Sequence, residues 1–248
     1  MPLLGRRMEA LLAWMREISD APFDARAYVD TGPVQERVYA QHAGLGWIGR
    51  NTCLINPEIG SWLFLSEILC SLALEADPPG FDQCGTCTLC LEACPTDAFV
   101  EPWVLDSTRC LSYLTIELKG SIPEENRRAI GNHVYGCYIC QEVCPWNTPP
   151  ALTTVPDWEP EPTLDRPHLV KLWRQPDEAL QPVLDRSGMS RAGLRGLRRN
   201  VAVALGNSHE PDAASALEQT PSDYSRSDPQ VNEHVRWSRR TLSCDAVP

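Results

Sequence analysis

Residues 84–95 read Cys84-Gly85-Thr86-Cys87-Thr88-Leu89-Cys90-Leu91-Glu92-Ala93-Cys94-Pro95, and this stretch decides the fold. Two-residue gaps let three successive sulfurs bend around one compact inorganic core, and the three-residue step to Cys94-Pro95 then carries the chain away. The proline stops the local helix from continuing in its original direction. This is the spacing of a bacterial-ferredoxin-type domain, in which the last cysteine of such a run ligates the other of two 4Fe–4S clusters. A second set follows at Cys110, Cys137, Cys140 and Cys144-Pro145. By the crossover rule one cluster takes Cys84, Cys87, Cys90 and Cys144, and the other takes Cys94, Cys110, Cys137 and Cys140. The second set is stretched, because Leu111 to Gly136 is inserted after its first cysteine. Zinc would use paired C-x2-C knuckles with four ligands per ion, and the C-x2-C-x2-C-x3-C-P run suits clusters better. Disulfides would leave at least one of the 11 cysteines unpaired. Cys53 and Cys70 lie in apolar surroundings and read as core residues.

Outside this segment the composition is that of an ordinary soluble protein, with 43% hydrophobic residues in 248. The longest apolar stretch, Trp62 to Leu74, is broken by Ser66 and Glu67, so nothing spans a membrane. The N-terminal run carries Glu9, Arg16 and Glu17 among leucines at helical spacing, which reads as an amphipathic helix of a cytoplasmic protein, not a signal peptide. Cysteine-rich chains without export signals use their thiols for metal before disulfides. A net charge of −11 excludes broad nonspecific nucleic-acid binding, which depends on clustered Lys and Arg. Positive charge concentrates locally at Arg186, Arg191, Arg195, Arg198 and Arg199. On a helical repeat these side chains would either follow phosphates or form a solvated face.

The fold class expected is α+β, organised as residues 1–76, 77–150, 151–162 and 163–248. The first region mixes a helix, a short strand at Arg26–Asp30, a helix near Pro33–Ala43, and strand-like runs at Thr52–Ile55 and Trp62–Leu69. The second is the loop-rich cluster domain. The third is proline-rich and acidic, so it reads as a linker. In the fourth, Leu194, Leu197, Val201 and Leu205 recur at spacings of three and four before a helix stop at Gly206–Asn207. With Ala213–Leu217 and Val231–Trp237 they suggest HEAT-like helices, with an acidic loop at Thr220–Asp228 and a frayed end that includes Cys244.

Gly44-Leu45-Gly46-Trp47-Ile48-Gly49 fits G-x-G-x-x-G, with Glu67 near the distance of a ribose-binding acid. The motif should follow a strand and open a helix, whereas here a helix precedes and a strand follows. Close backbone packing against a flat ligand is the better use of these glycines. Asp30, at a strand end just before a helix, reads from its position alone as a turn or capping residue.

Longer stretches carry a family resemblance. YVDTGPVQER (28–37), GLGWIGRNTCLINPEIGSWLFLSEIL (44–69), CGTCTLCLEACPTDAF (84–99), CLSYLTIELKGSIPE (110–124) and YGCYICQEVCPWN (135–147) resemble the epoxyqueuosine reductases. That family uses cobalamin and iron–sulfur clusters to reduce the epoxide of epoxyqueuosine to the alkene of queuosine, at the wobble position of certain tRNAs. The resemblance implies two 4Fe–4S clusters passing electrons to cobalamin, an external electron donor, a tRNA with a queuosine-type anticodon as partner, and a monomer. It makes Asp30 the proton donor, buried against a flat apolar cofactor. No D-x-H-x-x-G motif supplies a histidine to cobalt. The resemblance therefore implies a cradle of backbone and apolar walls, at Asn51, Leu54, Ser112 and Gln141 among others. Because the chain begins shortly before YVDTGPVQER, the cobalamin domain is expected to be partial. The alternatives are a corrinoid reductive dehalogenase, for which Arg6-Arg7 lacks the apolar run of a twin-arginine leader, and an electron-transfer module whose partner holds the active site.

Overall fold

The computed structural model describes residues 2–30, 32–153, 155–159, 161–219 and 227–245. It is helix-rich with few strands and divides into two compact units, residues 1–93 with 101–105 and 139–158, and residues 94–100 with 106–138 and 159–248. The cysteine segment is shared between them. Among the described residues no helix is long and apolar enough to cross a membrane.

In the first unit, α1 (Pro2–Ile18) packs on β1 (Ala25–Tyr28), which pairs antiparallel with β4 (Glu67–Cys70) in the register Tyr28 opposite Glu67. Between them come α2 (Glu36–His42), β2 (Trp47–Ile48) and β3 (Leu54–Ile55), the last two forming a hairpin. The G-x-G-x-x-G run thus follows a helix and contains a strand, which is no dinucleotide turn. Its glycines pack closely on neighbouring backbone. A Cβ on Gly46 would lie 2.1 Å from the Ile55 carbonyl oxygen, so the hairpin closes only around glycine. One-turn helices α3 (Leu89–Glu92) and α6 (Ile139–Glu142) pack together, bringing the segments of Cys90 and Cys140 side by side.

The second unit is built around α9 (Gly193–Asn207). It packs on α4 (Leu111–Ile116), α7 (Leu169–Arg174), α8 (Asp177–Asp185), α10 (Ala213–Glu218) and, most extensively, α11 (Pro229–Asp245). The short α5 (Glu124–Arg127) lies within the inserted segment. Every residue of α9 from Gly196 to Gly206 is buried, so this helix is enclosed on all sides and has no solvated face over that length. Two of the arginines expected to meet phosphates are therefore structural. Arg198 donates to the Asp177 carboxylate at 2.6 Å and to the carbonyls of Trp173 and Gln175. Arg199 donates to the carbonyls of Leu114, Leu118 and Gly120, and burial pulls its pKa down to about 10. Arg191 and Arg195 are ion-paired to Glu117 and Asp228, which leaves Arg186 exposed at the end of α8. Arg198 and Arg199 are thus withdrawn from any phosphate track, while Arg186, Arg191 and Arg195 stand at the surface.

Asp228 receives the Gln230 and Val231 N–H groups at the start of α11. The rest of the expected acidic loop, residues 220–226, lies outside the described residues. Cys244 does not fray from the fold but occupies the last turn of α11, exposed.

His234, fully buried on α11, accepts the Ile122 N–H at Nε2 and donates Nδ1–H to the Gln230 carbonyl. The bond accepted at Nε2 requires the neutral ring, and burial holds its pKa down to about 4. The unfolded chain, with an ordinary histidine pKa near 6.5, binds the proton more readily, so stability falls as pH drops from about 6.5 to about 4. The loss expected across that window is about 3 kcal/mol. Denaturant unfolding at pH 7 and pH 4.5 checks it, and His234→Gln should show a flatter pH dependence.

Candidate metal centre

Within the first unit, Cys84, Cys87, Cys90 and Cys144 line one cavity, closed by Arg50, Asn51, Ile55, Leu89 and Trp146. The chain reaches it from three directions: the loop before α3, α3 itself, and the turn after α6. Burial and the neighbouring thiols push the Cys90 thiol up to about 11 and the Cys144 thiol upward as well. Thiols converging in an apolar pocket resist ionisation unless a cation is present, and a bound metal deprotonates them outright. This donor set fits a cubane iron–sulfur core.

The surrounding residues hold that set in place. Trp47, 1% exposed, donates Nε1–H to Cys84 Sγ at 3.4 Å, and its ring meets Trp146 edge-on. Hydrogen bonds to cluster sulfurs are one determinant of reduction potential. Asn51, also buried, accepts the Cys53 N–H and donates to the Cys140 carbonyl. Asn147 accepts the Ser61 N–H and donates to Ser61 Oγ and the Gln141 carbonyl, while Ser61 Oγ donates to Gln141 Oε1. Gly60, at φ +72°, makes room for this, since a Cβ there would lie 2.1 Å from Asn147 Oδ1. The cysteine pattern pointed to none of these braces. The Trp-Asn pair that follows Cys144-Pro145 was the available signal.

These contacts bear on the residues expected to cradle a corrin. The Asn51 amide is engaged at both ends by the protein, Leu54 is only 3% exposed in β3, and the Gln141 side chain is bonded to Ser61. Ser112 lies in the second unit, on α4, where its carbonyl accepts a bond from Thr115. Asn51 and Leu54 are buried in the first unit, Asn51 at the wall of the cysteine cavity and Leu54 in β3. Cys53 is likewise more than a core residue. Its thiol shares a hydrogen bond with Cys140, which lowers the Cys53 pKa and raises that of Cys140.

Of the other four cysteines, Cys140 is on α6 of the first unit, and Cys94, Cys110 and Cys137 are in the second. Cys94 Sγ accepts the Ala98 N–H at 3.3 Å, and Cys110 stands at the N-terminus of α4.

Asp30 ends the segment leading out of β1. Its backbone is left-handed at φ +63°, a conformation that Asp tolerates better than most residues, and its N–H donates to Glu36 Oε1 at 2.8 Å. The side chain is exposed. Nearby, both carboxylate oxygens of Glu67 are shielded from solvent without a hydrogen-bond partner among the described residues. Burial raises its pKa, and the Glu36 charge raises it further. Nothing in the sequence distinguished Glu67 beyond its false role in the glycine motif.

Residues 83–147 match the family model described as 4Fe-4S double cluster binding domain. Fold and cysteine array together define a protein of the double-cluster iron–sulfur class. Its relatives are more particular. The Escherichia coli (strain K12) epoxyqueuosine reductase is 42% identical over 214 residues, covering 86% of this chain and 55% of the relative. An epoxyqueuosine reductase crystallised with a tRNA-Tyr epoxyqueuosine-modified stem loop superposes with a TM-score of 0.88 at 32% identity, over 97% of this chain and 63% of that one. The Bacillus subtilis epoxyqueuosine reductase, solved with an aspartate catalytic loop swung out of its active site, gives 0.85 at 31% identity, over 97% and 63%. The chain is a homologue of the epoxyqueuosine reductases, as its sequence suggested, and spans about half the length of the curated relatives it matches.

Proposed function

We propose that this chain carries the cluster-binding and proton-donating parts of an enzyme that reduces epoxyqueuosine to queuosine at the wobble position of tRNA. The observation that carries the reading is the convergence of Cys84, Cys87, Cys90 and Cys144 on one cavity, in a chain homologous throughout to epoxyqueuosine reductases. Conversion of an epoxide to an alkene consumes two electrons and two protons and releases water. When bound, the 4Fe–4S clusters and cobalamin supply the electrons and the cobalt chemistry at the reacting carbon. The chain's own contribution is placement and protons. Asp30 sits on an exposed loop whose backbone is pinned to the first residue of α2, and a catalytic aspartate loop in the Bacillus subtilis relative supports its role as general acid.

For the corrin, the first unit offers exposed apolar side chains, Tyr39, Leu45 and Phe64 among them. Apolar side chains suit its flat face. The helices of the second unit stand as HEAT-like elements for the tRNA, with a reductant from outside the chain, in a monomeric cytoplasmic protein.

The ligand sets separate by substitution. Anaerobically reconstituted protein should hold about eight irons and eight sulfides, as two 4Fe–4S clusters require. Cys144→Ala should damage the same cluster as Cys84→Ala, and Cys94→Ala should damage the one served by Cys137 and Cys140. Each change should remove about half of the iron and one spectroscopic signal. Two zincs without labile sulfide would end the cluster reading. Loss of the Cys84 signal in Cys94→Ala would reverse the crossover.

A further inference from the structure

The second unit holds a cavity of about 830 Å³, separate from the cysteine cavity of the first unit, and its wall is unusual in three respects. Its rim carries aromatic rings from separate segments: His133 and Tyr135 before α6, His168 before α7, and His209 after α9. Arg166 brings a guanidinium to the same wall. Asn207, the last residue of α9, lines it with a side chain whose Nδ2 donates to the carbonyls of Arg127 and Gly131, at 2.7 and 3.2 Å. Those two bonds fix the amide orientation, so the atom left over is Oδ1. This oxygen is buried and has no partner among the described residues. Shielded to that degree, the oxygen lies behind the cavity wall, and the two Nδ2 bonds fix the end of α9 there.

We propose that this cavity binds a nucleotide. The flat base stacks on the histidine and tyrosine rings, and the phosphate meets Arg166. The combination matches how single-stranded nucleic acid is held, by stacking platforms for bases with cations at the backbone. The volume falls within the roughly 300–1,000 Å³ of small-ligand sites. Charge distribution argues in the same direction. The protein is acidic overall, Arg198 and Arg199 are buried, and Arg191 and Arg195 are paired. Recognition of RNA by this unit then rests on a shaped pocket, not on a basic surface. The nucleotide comes either from a tRNA loop, which rests on the function proposed above, or from the free pool.

The test uses the cluster-loaded chain, the four nucleoside 5′-monophosphates, and an unmodified anticodon stem loop of a queuosine-type tRNA. Calorimetric titration should show saturable binding of at least one monophosphate. Its histidine Cε1–H resonances should shift on binding, and those of His133, His168 and His209 should be the ones affected. His209→Ala and Arg166→Glu, both at exposed positions, should each weaken binding about tenfold, while the melting temperature is unchanged. Competition between stem loop and monophosphate assigns the site to RNA. Monophosphate binding that the stem loop does not displace assigns it to a free nucleotide. Absence of binding by all four monophosphates, with stem-loop affinity the same in wild type and both variants, overturns the proposal. None of these readouts depends on turnover, so a failure of epoxyqueuosine reduction leaves them intact.

Discussion

Arg198→Met is expected to cost the helical unit about 3–5 kcal/mol, because it strands a charge that the fold has buried. The guanidinium is 1% exposed, and it bonds to Asp177 through Nε and one terminal nitrogen, at 2.8 and 2.6 Å. Two backbone carbonyls, of Trp173 and Gln175, take its remaining donors, and the Trp173 ring lies 5.6 Å beneath it. Burial lowers the arginine pKa, and Asp177 pulls it back up. Methionine fills much of the volume but leaves the Asp177 carboxylate, itself 9% exposed, without its cation. Asp177 also stands in the first turn of α8, where the helix dipole favours an anion, and that offsets only a fraction of the loss. Denaturant unfolding followed by circular dichroism should give the shift. The double variant Asp177→Leu with Arg198→Met should recover most of it, since a buried pair exchanged for apolar groups is often neutral. Arg198→Lys should rescue little, because an ammonium cannot reproduce the planar fork. A single-variant loss below 1 kcal/mol would mean that Asp177 finds water in the folded state.

Asp30→Asn is expected to lower turnover by about 10²- to 10⁴-fold, the usual range for removal of a general acid. The amide keeps the size of the carboxyl, and asparagine tolerates the left-handed backbone at φ +63° as aspartate does. The bond from the residue 30 N–H to Glu36 is untouched by the change. Iron and corrin contents should therefore stay at wild-type levels, which separates a chemical defect from a folding one. Conversion of epoxyqueuosine to queuosine in a tRNA stem loop, with a chemical reductant and protein of the relatives' full length, is the assay. Wild-type turnover would return Asp30 to the role of a turn residue.

What the sequence disclosed and what it hid follow from how local each cause is. Eight cysteines at characteristic gaps were legible because metal ligation is set by short-range geometry, and four of them meet at one cavity. The helix at Leu194–Leu205 was legible from its period, but its environment was not. Apolar residues at spacings of three and four imply one buried stripe, and the arginines between them then read as solvent-facing. Here α9 is enclosed all round, so Arg198 and Arg199 are buried with their neighbours, Arg198 compensated by Asp177 21 residues away and Arg199 by the carbonyls of Leu114, Leu118 and Gly120. A charge pair across that distance leaves no periodic trace. The glycine run was legible in part, since the spacing foresaw a close approach and Gly46 meets the backbone of Ile55. The orphaned oxygens of Glu67 and Asn207 were invisible, because a missing hydrogen bond is a property of three-dimensional surroundings alone.

The clamp that Arg199 and Asn200 place on the inserted segment has a consequence for the timing of biosynthesis. Arg199 holds the carbonyls of Leu114, Leu118 and Gly120, and Asn200 holds those of Thr115 and Val134. Cys110 and Cys137 flank this segment, yet they emerge from the ribosome well before the residues that fix it. Domains generally fold as units during synthesis, at about 5–20 residues per second. Until α9 and its cover α11 are complete, near residue 245, these two cysteines belong to loose chain. Cys84, Cys87, Cys90 and Cys144 need nothing beyond residue 158, so their pocket forms first. A nascent chain stalled near residue 190 would accept iron at one site and not at the other, and maturation would proceed from the first cluster to the second in the order of translation.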